Sequence, residues 1–227
     1  MSNLNLKWSE KIVEVLSHLG VEDVCICPGS RNTPLTLAFT SSSSFKCTSH
    51  IDERSAAFFA LGVAKKKQKP AVVVSTSGTA VSNFFPAVIE SSLSTSPLIV
   101  ITADRPPELI DTGENQTINQ KNIYGTYTRL FTDLGVPGLR ELEKEIIDSF
   151  RSCIGSDTIP PGPVHINVPF DEPLVSDLDF NSESADFNSS LTQDRMSNSD
   201  SRQPDFTDSI IVCGRLELSK DNKRILD

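Results

Sequence analysis

The chain has 227 residues, 37% of them hydrophobic and 22% charged, which is ordinary globular usage and excludes a collagen-like, coiled-coil or wholly disordered polymer. Against 21 Lys and Arg stand 30 Asp and Glu, and the resulting net charge of −9 would repel a phosphate backbone, so no nucleic-acid partner is expected. The N-terminus has no basic flank leading an apolar core, and apolar runs such as residues 98–101 are too short to span a bilayer, so a soluble, cytoplasmic protein without membrane insertion is expected.

Trp8, Ile12, Val15, Leu16 and Leu19 recur at helical spacing and predict a first helix, with Gly20 as its stop. Residues 24–27 predict a strand that runs into the loop 28–32, after which Thr33 reads as an N-cap and Pro34 as the first helical residue. The pattern then repeats: a strand at 47–51, an apolar helix at 53–64, a strand at 71–75, a helix after Gly78 and a strand at 98–102. The basic residues Lys65, Lys66, Lys67 and Lys69 read as a solvated helix C-terminus, where cations oppose the negative end of the macrodipole. Beyond a polar stretch, residues 140–154 predict an amphipathic helix and 164–168 a final strand. Alternating β and α, with β-branched runs such as Val72, Val73 and Val74, predicts an α/β fold in which a parallel sheet carries helices on both faces.

This first domain is expected over residues 1–175. An acidic, Ser- and Asn-rich linker is expected at 176–207, and 208–227 reads as the truncated start of a second α/β domain, so the chain reads as a fragment of something longer. Cys25, Cys27, Cys47, Cys153 and Cys213 show no metal-ligand spacing and read as reduced packing residues; His18, His50 and His165 suggest no metal site either.

In an open parallel sheet, ligands bind at the carboxyl ends of the strands, and polar residues cluster in the loops there. No Gly-x-Gly-x-x-Gly, Gly-x-x-x-x-Gly-Lys-[Ser/Thr] or Gly-x-Ser-x-Gly is present, which argues against a plain dinucleotide, triphosphate or hydrolase site. Glu53 opens a helix whose next residues are almost all apolar. It is either a desolvated carboxylate able to share a proton with a ligand nitrogen or a first-turn acid favoured by the helix dipole. Arg31, in a glycine-containing loop, could grip a carboxylate or lie on the surface; Arg105 could contact an anion or anchor its loop; Asn115 and Gln116 could bind a ligand or serve a turn.

The segments CPGSRNTPLTLAF from Cys27, HIDERSAAFFALG from His50, TSGTAVSNFFPAVIES from Thr76 and LIVITADRPPELIDTGENQTINQ from Leu98 resemble the N-terminal, pyrimidine-binding domain of thiamine-diphosphate enzymes. Thr79 and Ala80, where acetolactate-type relatives carry Pro-Gly, and the ADRPPEL segment point to the branch that serves menaquinone or phylloquinone biosynthesis. The resemblance implies a transferase that decarboxylates 2-oxoglutarate and adds the succinyl-semialdehyde carbanion to isochorismate. Glu53 would then hydrogen-bond the pyrimidine and favour its imino form; Pro28, Thr76, Ser77 and Gly78 would line the cofactor pocket; Ser30, Arg31, Arg105, Asn115 and Gln116 would face substrate.

It also implies that Mg²⁺ or Mn²⁺ and the diphosphate are held by a C-terminal domain that this chain lacks. A homodimer or homotetramer is therefore expected, with the chain inactive alone. Asn32, where serine is common, and Glu114, where a small residue is common, depart from the pattern. A different thiamine-diphosphate 2-oxoacid decarboxylase or acetolactate-type enzyme, and a non-catalytic interaction module, are the alternatives.

Overall fold

The computed structural model describes residues 3–175. The expected linker, the second α/β domain and Cys213 lie outside these residues. Helix α1 (Leu4–His18) starts where the Asn3 side chain accepts from the Asn5 and Leu6 amides, buries Trp8, Ile12, Val15 and Leu16 as one stripe, and gives way at Gly20, whose φ is +79°. There follow β1 (Asp23–Ile26), α2 (Thr33–Ser41), β2 (Lys46–Ser49), α3 (Glu53–Lys67), β3 (Ala71–Ser75), α4 (Thr79–Asn83), α5 (Phe85–Leu93) and β4 (Leu98–Asp104). The described chain is completed by β5 (Leu130–Asp133), α6 (Glu143–Ile154) and β6 (Pro163–Pro169).

The six strands form one all-parallel sheet in the order β2-β1-β3-β4-β6-β5. Because side chains alternate across a strand, Val24, Val72, Ile99 and Val164 fall in register on one face, where they pack with α1, α2 and α6. Cys25, Val73 and Val100 fall on the other, under the small residues Ala56, Ala57, Ala60 and Ala64 of α3 and Ala87 and Val88 of α5. Both faces are covered, as the β-branched runs predict, and each fully buried Val or Ile contributes about 1.5–3 kcal/mol. No helix among the described residues is long and apolar enough to cross a membrane.

Several expectations are corrected. Strand β5 lies in what reads as a polar stretch. All four of its residues are half-buried, so it has no continuous apolar run to announce it. Asn32, not Thr33, is the N-cap of α2, and its side-chain amide Nδ2 donates to the Cys27 carbonyl (2.9 Å) rather than capping the helix. Helix α6 begins three residues later than expected; Arg140 instead bonds the Leu134 carbonyl and Glu145. Helix α3 is not buried all round: Phe58 and Phe59 are 42% and 49% exposed, and Ile51 just before the helix is 93% exposed. The lysines at its end are exposed but not merely solvated, since Lys67 meets Asp23 (2.5 Å) and Lys69 meets Glu22 (2.6 Å). Cys25, Cys27, Cys47 and Cys153 are free thiols, the first two and the last buried.

Candidate functional site

After β1 the chain moves outward to β2 and then returns to place β3 on the other side of β1. The strand order therefore reverses between β1 and β3, and it is at the carboxyl ends of such a pair that open parallel sheets take ligands. The loop after β1 and the turn after β3 meet there. Gly29 lies so close to Thr76 that a Cβ at position 29 would stand 2.4 Å from the Thr76 Cβ. Gly78, with φ +82° and ψ −144°, occupies backbone space that only glycine takes freely, and a Cβ there would stand 2.7 Å from Gln116 Cγ.

Thr76, Ser77 and Gly78 are buried. Ser77 Oγ donates to the Gln116 carbonyl (3.0 Å) and Gln116 Nε2 donates back to the Ser77 carbonyl (3.0 Å), so Gln116, expected to face substrate, clasps the turn after β3. Pro28 and Ser30 are exposed at the rim.

Glu53 begins α3. Asp52 caps the helix by accepting from the Ser55 amide (2.7 Å), and the Ser55 side chain first, with this amide, holds the Asp52 carboxyl below its usual range. Glu53 Oε2 accepts from Asn83 Nδ2 of α4 (3.3 Å), and no hydrogen bond from the described residues reaches Oε1. Burial pushes the Cys27 thiol up to about 12, with the nearby Glu53 charge adding to the shift, which places Glu53 by the start of the loop after β1. Glu53 is half-exposed and falls on the face of α3 that also carries Ala56, Ala57 and Ala60, with Phe58 and Phe59 on the opposite side.

Arg31 is neither a surface arginine nor a free fork. It is only 4% exposed; Nη1 donates to the Phe170 carbonyl (2.9 Å) and Nη2 to Glu172 Oε1 (3.0 Å). Arg105 Nη1 stands 3.8 Å from that same oxygen, and Arg105 Nη2 donates to the Asn115 carbonyl (3.2 Å). Two guanidinium groups thus converge on one carboxylate that is itself 70% exposed, and the Nε of each is buried without a partner. Asn115 joins this group through its backbone, its side chain lying exposed.

Behind the turn lies a buried polar network that sequence reasoning missed. Thr102 Oγ1 donates to Asn167 Oδ1 (2.8 Å), so its remaining contact, with His165 Nε2 (2.7 Å), must be one in which the imidazole donates. Burial holds His165 neutral, its pKa lowered to about 3. Asn167 Nδ2 donates to Asp104 Oδ2 (2.9 Å), and the Arg105 amide donates to Asp104 Oδ1 (2.8 Å). These donors favour the anion, but burial outweighs them and raises Asp104 to about 7. A cleft of about 170 Å³ beside Asp104 is lined by Arg105, Ile110, Asn119 and Lys121. Among the described residues no group of His, Cys, Asp and Glu could hold a metal ion.

Residues 6–123 match the family model of the thiamine pyrophosphate enzyme, N-terminal TPP binding domain. The chain belongs to this family. It is similar to 2-succinyl-5-enolpyruvyl-6-hydroxy-3-cyclohexene-1-carboxylate synthases: 49% identical over 76% of this chain to that of Haloquadratum walsbyi, and 48% over 74% to that of Chlorobium phaeobacteroides. The synthase of Halobacterium salinarum is 48% identical over 76% of the chain. The matches cover 28%, 29% and 30% of these relatives, so the chain spans less than a third of the length of the curated proteins it matches.

Within this thiamine pyrophosphate enzyme domain the two departures from pattern do no harm to the site. Asn32 ties its loop to the Cys27 carbonyl from a fully buried position, and Glu114 lies exposed. Glu172, Asn83 and Gln120 are the residues that the sequence did not single out. The first two signal themselves only through contacts made across the fold.

Proposed function

We propose that this chain supplies the pyrimidine-binding half of a thiamine-diphosphate-dependent 2-succinyl-5-enolpyruvyl-6-hydroxy-3-cyclohexene-1-carboxylate synthase, which decarboxylates 2-oxoglutarate and joins the remaining four-carbon unit to isochorismate in menaquinone or phylloquinone biosynthesis. One observation supports the reading: Glu53, whose Oε1 receives no hydrogen bond from the described residues, is held through Oε2 by Asn83 of α4, the helix into which the Thr76–Gly78 turn leads. Gly29 and Gly78 support the reading by letting the two loops close on Thr76 and Gln116, where a Cβ would intrude, so that the turn keeps one shape for a ring to lie against. When bound, thiamine diphosphate supplies an electron sink for the carbon left by decarboxylation.

In this reading Glu53 Oε1 holds a proton shared with a pyrimidine nitrogen. Asn83 steadies the other oxygen, and Pro28, Thr76, Ser77 and Gly78 line the ring's pocket. Arg31 and Arg105 supply positive charge toward substrates that are both anionic, with Ser30, Asn115 and Gln116 at the same edge. The exposed apolar side chains Ile51, Phe58 and Phe59, on α3 and just before it, support a cover formed by a second copy, in a homodimer or homotetramer. The diphosphate and its Mg²⁺ or Mn²⁺ are assigned to a separate domain, and the site of action to the cytoplasm. An acetolactate-type or other 2-oxoacid decarboxylase is the second reading, and the paired arginines disfavour it.

The test is an assay of the assembled enzyme containing this domain, with 2-oxoglutarate, thiamine diphosphate, Mg²⁺ and either isochorismate or pyruvate as co-substrate. Carbon dioxide release coupled to isochorismate consumption is expected. Turnover with pyruvate but not isochorismate would reject the reading.

A further inference from the structure

Gln120 is fully buried, although it lies in an irregular segment between β4 and β5 whose neighbouring residues are mostly exposed. Its side chain makes three hydrogen bonds to three separate parts of the chain. Oε1 accepts from the Gly78 amide (2.7 Å), and Nε2 donates to the Ala103 carbonyl (3.1 Å) and to Asn167 Oδ1 (3.0 Å). We infer that Gln120 is a positioning residue for the cofactor face: it pins the one backbone amide that sets the Thr76–Gly78 turn, and through Asn167 it locks that turn to the ends of β4 and β6. This inference rests on the proposed pyrimidine site.

The geometry supports it in three ways. Gly78 takes its φ of +82° without strain but is free to take many others, so the turn depends on outside contacts to fix this one. The Gly78 amide points inward to Gln120, so the turn offers a ligand its shape and not this donor. Asn167 cannot rotate freely to replace Gln120, since its own oxygen also accepts from Thr102 and its nitrogen is spent on Asp104. No hydrogen bond joins the Gln120 side chain to Glu53, Arg31 or Arg105; its bonds go to the turn at Gly78 and to the ends of β4 and β6.

The experiment compares Gln120→Met, which keeps the volume but removes donor and acceptor, with Gln120→Glu, which keeps an acceptor for Gly78. Arg129→Lys, which disturbs hydrogen bonds to Ser92, Pro160 and Pro161 at the far end of the sheet, serves as a control for general destabilisation. Two quantities are read: hydrogen exchange at the Gly78 amide, and the dissociation constant for thiamine diphosphate in the assembled holoenzyme.

For Gln120→Met, exchange at Gly78 is expected to quicken about 10-fold or more and the dissociation constant to rise by a similar factor. Gln120→Glu, which keeps the acceptor for Gly78 but loses both donors, is expected to fall between Gln120→Met and wild type, and Arg129→Lys to leave both readings near wild type. Unchanged Gly78 exchange in Gln120→Met, or equal effects in the control, would overturn the positioning role and leave the proposed function standing. Faster exchange with unaltered cofactor binding would also overturn it. If Glu53→Gln is then equally without effect on cofactor binding and turnover, the pyrimidine site itself is wrong.

Discussion

Gly29 and Thr76, from the two loops flanking the reversal of strand order, approach until there is room for hydrogen alone: an added Cβ would stand 2.4 Å from the Thr76 Cβ and 2.6 Å from its methyl group. Thr76 is buried and branched at the point of collision, so the backbone must yield. Gly29→Ala is expected to cost about 1–3 kcal/mol in urea unfolding and to weaken thiamine-diphosphate binding in the assembled enzyme. Unchanged values for both would mean that the two loops separate without consequence.

Glu53→Gln tests the proton-sharing carboxylate. Glu53 is half-exposed and has one long hydrogen bond, to Asn83, so the substitution is expected to leave the unfolding midpoint within experimental error. Turnover in the assembled enzyme is expected to fall about 10²- to 10⁴-fold, the range for losing a general acid–base group. Near-normal turnover would remove Glu53 from the mechanism.

Arg31→Lys is not conservative here. A single ammonium cannot reproduce the planar fork that reaches both the Phe170 carbonyl and Glu172. The variant is expected to lose about 1–3 kcal/mol of stability, because a buried carbonyl is left without its donor, and to show a raised KM for 2-oxoglutarate. Glu172→Gln, at a side chain 70% exposed, is expected to change stability by less than about 1 kcal/mol. Comparable losses in both variants would show that the ion pair, not the bond to Phe170, dominates.

The pH dependence of stability should expose two opposed buried groups. Asp104 is raised to about 7, so the native state binds its proton more tightly than the unfolded chain, and its contribution falls as pH climbs from about 4 to 7. His165 is lowered to about 3, so the unfolded chain takes up that proton first, and its contribution grows with pH up to about 6.5. Between pH 4 and 6.5 the two slopes oppose each other. Asp104→Asn is therefore expected to reveal a rise of up to about 1.4 kcal/mol per pH unit in chemical denaturation. A flat or falling profile in that variant would show that burial does not set these two groups as described. Lys121, Asp133 and Arg31 also act on Asp104, so low salt is the appropriate condition.

The central sheet was readable because its strands are apolar on both sides: Val72 to Val74 and Ile99 to Ile101 admit few other placements. Strand β5 was not readable, since Leu130–Asp133 is short and half-buried at the edge of the sheet. The loops holding Glu53, Thr76 and Gly78 were found because parallel sheets gather ligands at one end. Gln120 and Glu172 could not be found that way. Their importance arises from partners dozens of residues distant, Gly78 for one and Arg31 for the other, and hydrophobic periodicity leaves no trace of such pairings. Arg31 is not on the surface: it grips a carboxylate of its own chain, Glu172, and the carbonyl that holds its other nitrogen belongs to Phe170, just past the last strand, a partner that no local pattern announces.

The dependence of Gly78 on Gln120, and of Gln120 on Asn167, has a consequence for biosynthesis. As the nascent polypeptide leaves the ribosome, Gly78 emerges long before the segment bearing residue 167 has been translated, so the early turn must wait, loosely shaped, for its clamp. The shape of this turn is thus completed only near the close of the domain's synthesis, and a ribosome stalled before Asn167 would present it unclamped.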